Sequence, residues 1–204
     1  MLLERLRPGH DLLAVEGDEA QTLIAAEVLA KHPVVTEDLE GFPSVADWGR
    51  GFGRMRERTG SGDLPAGKRL FERAEGLYGE LSESQEKVCL LHGDLHHMNV
   101  LKSGEKEWKV IDSKGVVGER AYEVGAWMRN PLNLLGRENA KGLIQRRMAI
   151  FSERLGFERE RMEGWALAQC VLAACWSREE GDETERLFAE WAEELDGAFY
   201  VRQL

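Results

Sequence analysis

Apolar residues recur at helical spacing through most of the chain. Leu23, Ile24, Val28 and Leu29 line one face of a stretch that ends before Pro33, and Asp18 with Gln21 three positions later reads as its capping box. This predicts a helix over 18–31. Ser44 and Asp47 repeat the start signal, and Pro65 stands near a third start, followed by Leu70, Phe71, Ala74, Leu77, Tyr78 and Leu81. Residues 121–129 form a short helical pattern that ends before Pro131, and Leu143, Ile144, Met148, Phe151 and Leu155 mark another. Met162–Trp176 is apolar on most faces, which predicts a buried central helix. Leu187, Phe188, Trp191, Leu195 and Phe199 mark the last. The pattern thus predicts six or seven helices.

One region departs from that period. Within 88–112, Val100–Lys102 and Trp108–Ile111 read as short strands joined by a turn at Ser103-Gly104-Glu105. The fold class is therefore α+β, mostly α, with one domain over 1–204 built around a short hairpin. The run Gly49-Arg50-Gly51-Phe52-Gly53 superficially suggests a phosphate-binding loop. No Gly-Lys-Ser/Thr follows and no βαβ pattern surrounds it, so it reads as a glycine-weakened or kinked helix.

The hairpin carries the candidate chemistry. Leu90-Leu91 leads into His92-Gly93-Asp94, Asn99 follows five residues after Asp94, and Asp112 lies thirteen residues after Asn99. Taken singly, Gly93-Asp94 is an ordinary turn and Asp112 a strand-end carboxylate. Together they lay out a phosphoryl-transfer loop. Asp94 is the candidate base, and Asn99 and Asp112 offer the oxygen ligands that magnesium prefers. Pairing of the two strands would bring those ligands to neighbouring positions.

These residues resemble the catalytic core of the aminoglycoside phosphotransferases, which share the protein-kinase-like fold. The stretch from Ile111 through Glu119, then Ala121-Tyr122-Glu123-Val124, Arg129-Asn130-Pro131 and Ala174-Cys175-Trp176-Ser177, is similar to the streptomycin 6-kinase and hydroxyurea kinase branch. The resemblance covers Leu2 to about Phe188 and implies an ATP-dependent phosphotransferase acting on a hydroxyl group. It implies Asp94 as catalytic base, Asn99 and Asp112 as magnesium ligands, His92 as a brace of the loop, and Glu123 as the group that ties down the loop backbone. Residues 1–9 resemble the family's hinge strand, with adenine meeting the backbone near Glu4 and Leu6. The family's small N-terminal lobe, with its glycine-rich loop and strand lysine, has no counterpart here. The sequence thus reads as the helical C-terminal lobe of such a kinase. The alternative is a truncated, catalytically inactive relative that binds a ligand or partner. Apolar Leu2, Leu3 and Leu6 at that edge suggest a homo-oligomer.

Acidic residues on the C-terminal helices hold the substrate's amino groups in the resembled family. That makes Glu179, Glu180 and Asp182 the substrate candidates. The competing reading is a solvated turn with Asp182 as N-cap and Glu185 completing a capping box. His92, Asp94, His96 and His97 also suggest a metallohydrolase, but the ligand order is wrong and no histidine follows His97. Net charge is −10, which argues against nucleic-acid partners and fits a cationic or hydroxyl-bearing small molecule. No apolar run is long enough to cross a membrane and no signal peptide is visible, so a cytoplasmic location and no membrane partner are expected. Cys89, Cys170 and Cys175 lie in apolar stretches and read as reduced core thiols.

Overall fold

The computed structural model describes residues 4–31, 38–60, 62–134 and 139–200. Among the described residues there are seven α-helices and five short strands. They are α1 (Asp18–Lys31), α2 (Val45–Thr59), α3 (Gly67–Glu83), α4 (Glu123–Met128), α5 (Ala140–Leu155), α6 (Arg159–Glu180) and α7 (Glu185–Tyr200). The strands are β1 (Pro8–Asp11), β2 (Cys89–Leu91), β3 (Val100–Ser103), β4 (Glu107–Val110) and β5 (Val116–Gly118).

α6 is the central helix. Trp165, Ala166, Leu167, Val171 and Leu172 are all fully buried, as a helix apolar on most faces requires. α2, α3, α4, α5 and α7 pack against it. α2 starts where expected: Ser44 Oγ accepts from the Asp47 backbone N–H at 3.1 Å, and the Ser44 N–H donates back to the Asp47 carboxylate at 2.8 Å. The Gly49–Gly53 run lies inside α2. A Cβ at Gly49 would stand 2.6 Å from the Tyr78 ring, so close approach of α3 is what the missing side chain permits there.

Asp18 is the first helical residue of α1 and does not form the expected capping box with Gln21. A buried guanidinium competes for it. Arg147, on α5, donates to Asp18 Oδ1 through Nε at 2.9 Å, while Gln21 turns back to the Val15 carbonyl at 2.7 Å.

The sheet order is β1-β3-β4, with β2 and β5 forming a separate antiparallel pair. β3 and β4 pair as expected, though the register runs from Val100↔Val110 to Ser103↔Glu107, so Ser103 belongs to a strand and Ile111 lies just outside. Of the strand expected over 1–9, the described residues form strand from Pro8, and residues 1–3 lie outside the described residues. Pro8 pairs with Ser103, the last residue of β3, and the ladder closes with the Gly104 N–H donating to the Arg7 carbonyl at 2.7 Å. Among the described residues, Glu4, Arg5 and Leu6 lie outside the ladder. Glu4 instead reaches the Lys109 ammonium at 2.6 Å, and Leu6 is half-buried. Leu2 and Leu3, on which the self-association expectation rests, lie outside the described residues. Among the described residues no helix is long and apolar enough to cross a membrane.

Candidate functional site

The loop between β2 and β3 is tied down at several points. β2 pairs with β5 through Leu91↔Val116, which fixes where the loop leaves the strand. The His92 and Gly93 backbone N–H groups then donate to the two carboxylate oxygens of Glu123, at 2.5 and 3.1 Å. The His92 ring braces the loop from within. Its Nδ1 accepts from the Asp94 N–H at 3.2 Å, which leaves the proton on Nε2 to donate to the Ile111 carbonyl at 2.8 Å. Asn99 closes the loop: its Nδ2 donates to the Asp94 carbonyl at 2.9 Å.

Asp94 is partly exposed and opens on a cleft of about 500 Å³. Its Oδ1 accepts from Arg129 Nη2 at 2.9 Å, and its Oδ2 stands 3.7 Å from His96 Nε2. Desolvation holds the His96 imidazole below its ordinary pKa, so the ring is neutral near pH 7 and the Asp94 charge only partly opposes this. Lys114 also lines the cleft, together with Trp48 of α2 and Trp176 and Glu180 of α6. The Trp48 and Trp176 rings meet edge-to-face, with centroids 5.8 Å apart.

Asn99 and Asp112 leave the same end of the β3–β4 ladder, since the Ile111 N–H donates to the Asn99 carbonyl at 3.0 Å. With its Nδ2 donating to the Asp94 carbonyl, the Asn99 amide has its oxygen as the group that could hold a cation. Asp112 is exposed, and the Lys114 ammonium 2.6 Å away holds its carboxyl below the usual carboxylate range. An amide oxygen and an ionised carboxylate suit a hard divalent cation.

The expected substrate acids separate. Glu180 lines the cleft. Glu179 receives a two-pronged bond from Arg54, at 3.1 and 3.2 Å. Asp182 Oδ1 accepts from the Thr184 N–H at 2.9 Å at the start of α7, and Glu185 pairs with Arg178 rather than completing a capping box. The metallohydrolase arrangement does not assemble. The His92 ring is used within the loop, and His97 is fully buried and stacked on Trp127 with ring centroids 3.7 Å apart.

Arg129, Trp48 and the cleft role of Trp176 escape the sequence reading. Two signals mark Arg129 without giving it a role: it stands in Arg129-Asn130-Pro131, one of the stretches that carry the resemblance, and it directly follows Glu123–Met128, a helix buried along its whole length.

The family model for aminoglycoside/hydroxyurea antibiotic resistance kinases matches residues 1–181. The chain belongs to that family. Among curated kinases of related sequence, the streptomycin 6-kinase of Streptomyces griseus is 30% identical over 89% of this chain, and the hydroxyurea phosphotransferase of Kitasatospora aureofaciens is also 30% identical over 89%. The streptomycin 3''-kinase of Klebsiella pneumoniae is 40% identical over 50% of this chain. This family member spans 40% to 59% of the length of those relatives. The choline kinase LicA of Streptococcus pneumoniae superposes on 95% of the chain, covering 69% of its own, with a TM-score of 0.64 at 12% identity. The ethanolamine kinase of Plasmodium vivax superposes on 97%, covering 63% of its own, with a TM-score of 0.55 at 14% identity. The resistance-kinase family member described here therefore has a kinase-like fold.

Proposed function

We propose that the chain carries the acceptor-side machinery of a small-molecule kinase, which moves the γ-phosphate of ATP to a substrate hydroxyl. One observation carries the reading. The candidate base and the candidate amide ligand sit on one loop, joined by the Asn99 Nδ2–Asp94 carbonyl bond, and that loop opens on the cleft. Asp94 takes the acceptor proton as the hydroxyl oxygen attacks the γ-phosphorus. The bond from that phosphorus to the bridging oxygen breaks, and ADP leaves. Asn99 and Asp112 would hold magnesium, which supplies charge neutralisation on the phosphates when bound. Glu123 and His92 hold the loop so that Asp94 meets the acceptor without first having to be ordered. The backbone near Glu4 and Leu6 is the proposed adenine contact. Glu180 is the proposed contact for an amino or guanidinium group of the acceptor, and the two tryptophans beside it add a face for a cation. Glu179 and Asp182 already have protein partners and belong to the wall behind it. The names of the relatives point to streptomycin or hydroxyurea as acceptor, in an ATP-supplied cytoplasm.

The test is transfer of labelled γ-phosphate to streptomycin and to hydroxyurea by the purified chain. Asp94→Ala is expected to lower kcat by about 10²–10⁴-fold, the usual worth of a positioned base. Full activity in that variant would remove Asp94 from the mechanism. Calorimetry with millimolar Mg-ATP separates the inactive-binder alternative, since an enzyme of this kind must bind nucleotide.

A further inference from the structure

Two guanidinium groups are buried beside this loop, and they are satisfied differently. Arg147 is 1% exposed and fully engaged. Its Nε and Nη2 donate to Asp18, and its Nη1 donates to the carbonyls of Trp127 and Asn130 at 2.9 and 2.7 Å. Arg129 is 8% exposed and lies in sequence between those two carbonyls. Its Nη2 donates to Asp94 Oδ1, while its Nη1 is buried with no partner.

A buried cation with an unused donor is a poor structural brace. An orphaned buried donor costs about 1–3 kcal/mol, and desolvating the charge costs more. The bracing of this corner is already done by Arg147. Among the described residues, the contact that accounts for a guanidinium at position 129 is the Asp94 carboxylate.

The placement is also specific. Glu123 opens α4 and Arg129 follows its last residue, about 9 Å further along at the helical rise per residue. Glu123 holds the backbone of the loop at His92 and Gly93, and Arg129 holds the side chain of Asp94. One short helix thus fixes both the main chain and the carboxylate. With Oδ1 engaged, Oδ2 is the oxygen left for a proton. Its 3.7 Å separation from His96 Nε2 is too long for a hydrogen bond.

We propose that Arg129 is the positioning residue of the base. It locks the Asp94 carboxylate through Oδ1, so that Oδ2 meets the acceptor hydroxyl, without itself touching the reacting atoms. This rests on Asp94 being the base.

Kinetics of Arg129→Met and Arg129→Lys test it alongside Asp94→Ala. Arg129→Met is expected to lower kcat by about 10²-fold, the scale of an ångström-level misplacement, with KM for Mg-ATP nearly unchanged. Arg129→Lys recovers part of the loss, because an ammonium keeps the charge but not the planar fork. Added guanidinium ion restores activity to Arg129→Ala, and sodium at equal ionic strength does not. If Asp94→Ala is inactive and Arg129→Met keeps its kcat, this proposal alone falls. If Asp94→Ala keeps its activity, the base falls and the positioning role with it. A crystal structure of Arg129→Met gives a readout independent of turnover: the Asp94 carboxylate is expected to leave its present rotamer. An unmoved carboxylate overturns the proposal.

Discussion

The carboxylate of Glu123 accepts the His92 backbone N–H at 2.5 Å, and its second oxygen takes the next amide in the chain. Those two bonds favour the ionised acid. Full burial works against it and is the larger effect, so the carboxyl is pushed up to about 7 from an ordinary 4.5. The acid is therefore easier to protonate in the folded chain than in the unfolded one. Its stability contribution is complete below pH 4.5 and is lost as pH rises through about 7. The change is of order 3 kcal/mol, taking about 1.4 kcal/mol per unit. Glu123→Gln cannot ionise. Thermal melts from about pH 5 to about pH 8 are expected to show wild type losing stability relative to this variant. A pH-independent difference between the two would mean that Glu123 does not titrate in that window.

His97 has the opposite character. Its ring is fully buried against Trp127, and neither ring nitrogen has a hydrogen-bond partner. Burial holds its pKa down to about 2, so it is neutral at any working pH. A neutral imidazole with no partners is an aromatic plate carrying a polar penalty. His97→Phe is expected to be neutral or stabilising by about 1 kcal/mol in chemical denaturation, because it removes two orphaned atoms and keeps the stack. A marked loss of stability would show that the nitrogens have a bonded partner.

Gly93 turns the loop at φ +81°, a conformation L side chains rarely adopt. A Cβ there would lie 2.8 Å from Val116 Cγ1 and 2.9 Å from the Trp48 ring. Gly93→Ala is expected to cost about 1–3 kcal/mol from overpacking, with a further cost for the backbone. Pairing it with Trp48→Ala relieves one of the two clashes. A double-mutant cycle with zero coupling would show that the loop relaxes away from Trp48 on its own.

That Asp94 and Asn99 share one loop is legible in the sequence because they stand five positions apart between two apolar strands. The helices are legible because burial imposes their period. α6 is predicted as buried from its apolar run alone, and the structure buries it. The contacts of Arg129 with Asp94 and of Trp48 with Gly93 are not legible, because they arise only through packing between distant segments. Asp18 has the local signature of a cap, and a guanidinium more than a hundred residues away overrides it. Glu179, Glu180 and Asp182 are equivalent as a sequence cluster. They separate because one is taken by Arg54, one closes the turn into α7, and one faces the cleft.

The Arg147 clasp ties the start of α1 to the segment that carries Arg129. No residue of α1 lines the cleft, yet Asp18 at its start neutralises the cation that holds the carbonyls of Trp127 and Asn130. Excising α1 would strand a positive charge in the interior, at a cost of about 3–5 kcal/mol, beneath the residues that flank Arg129. A helix that contributes no residue to this cleft thus helps to hold the segment from which Arg129 reaches Asp94.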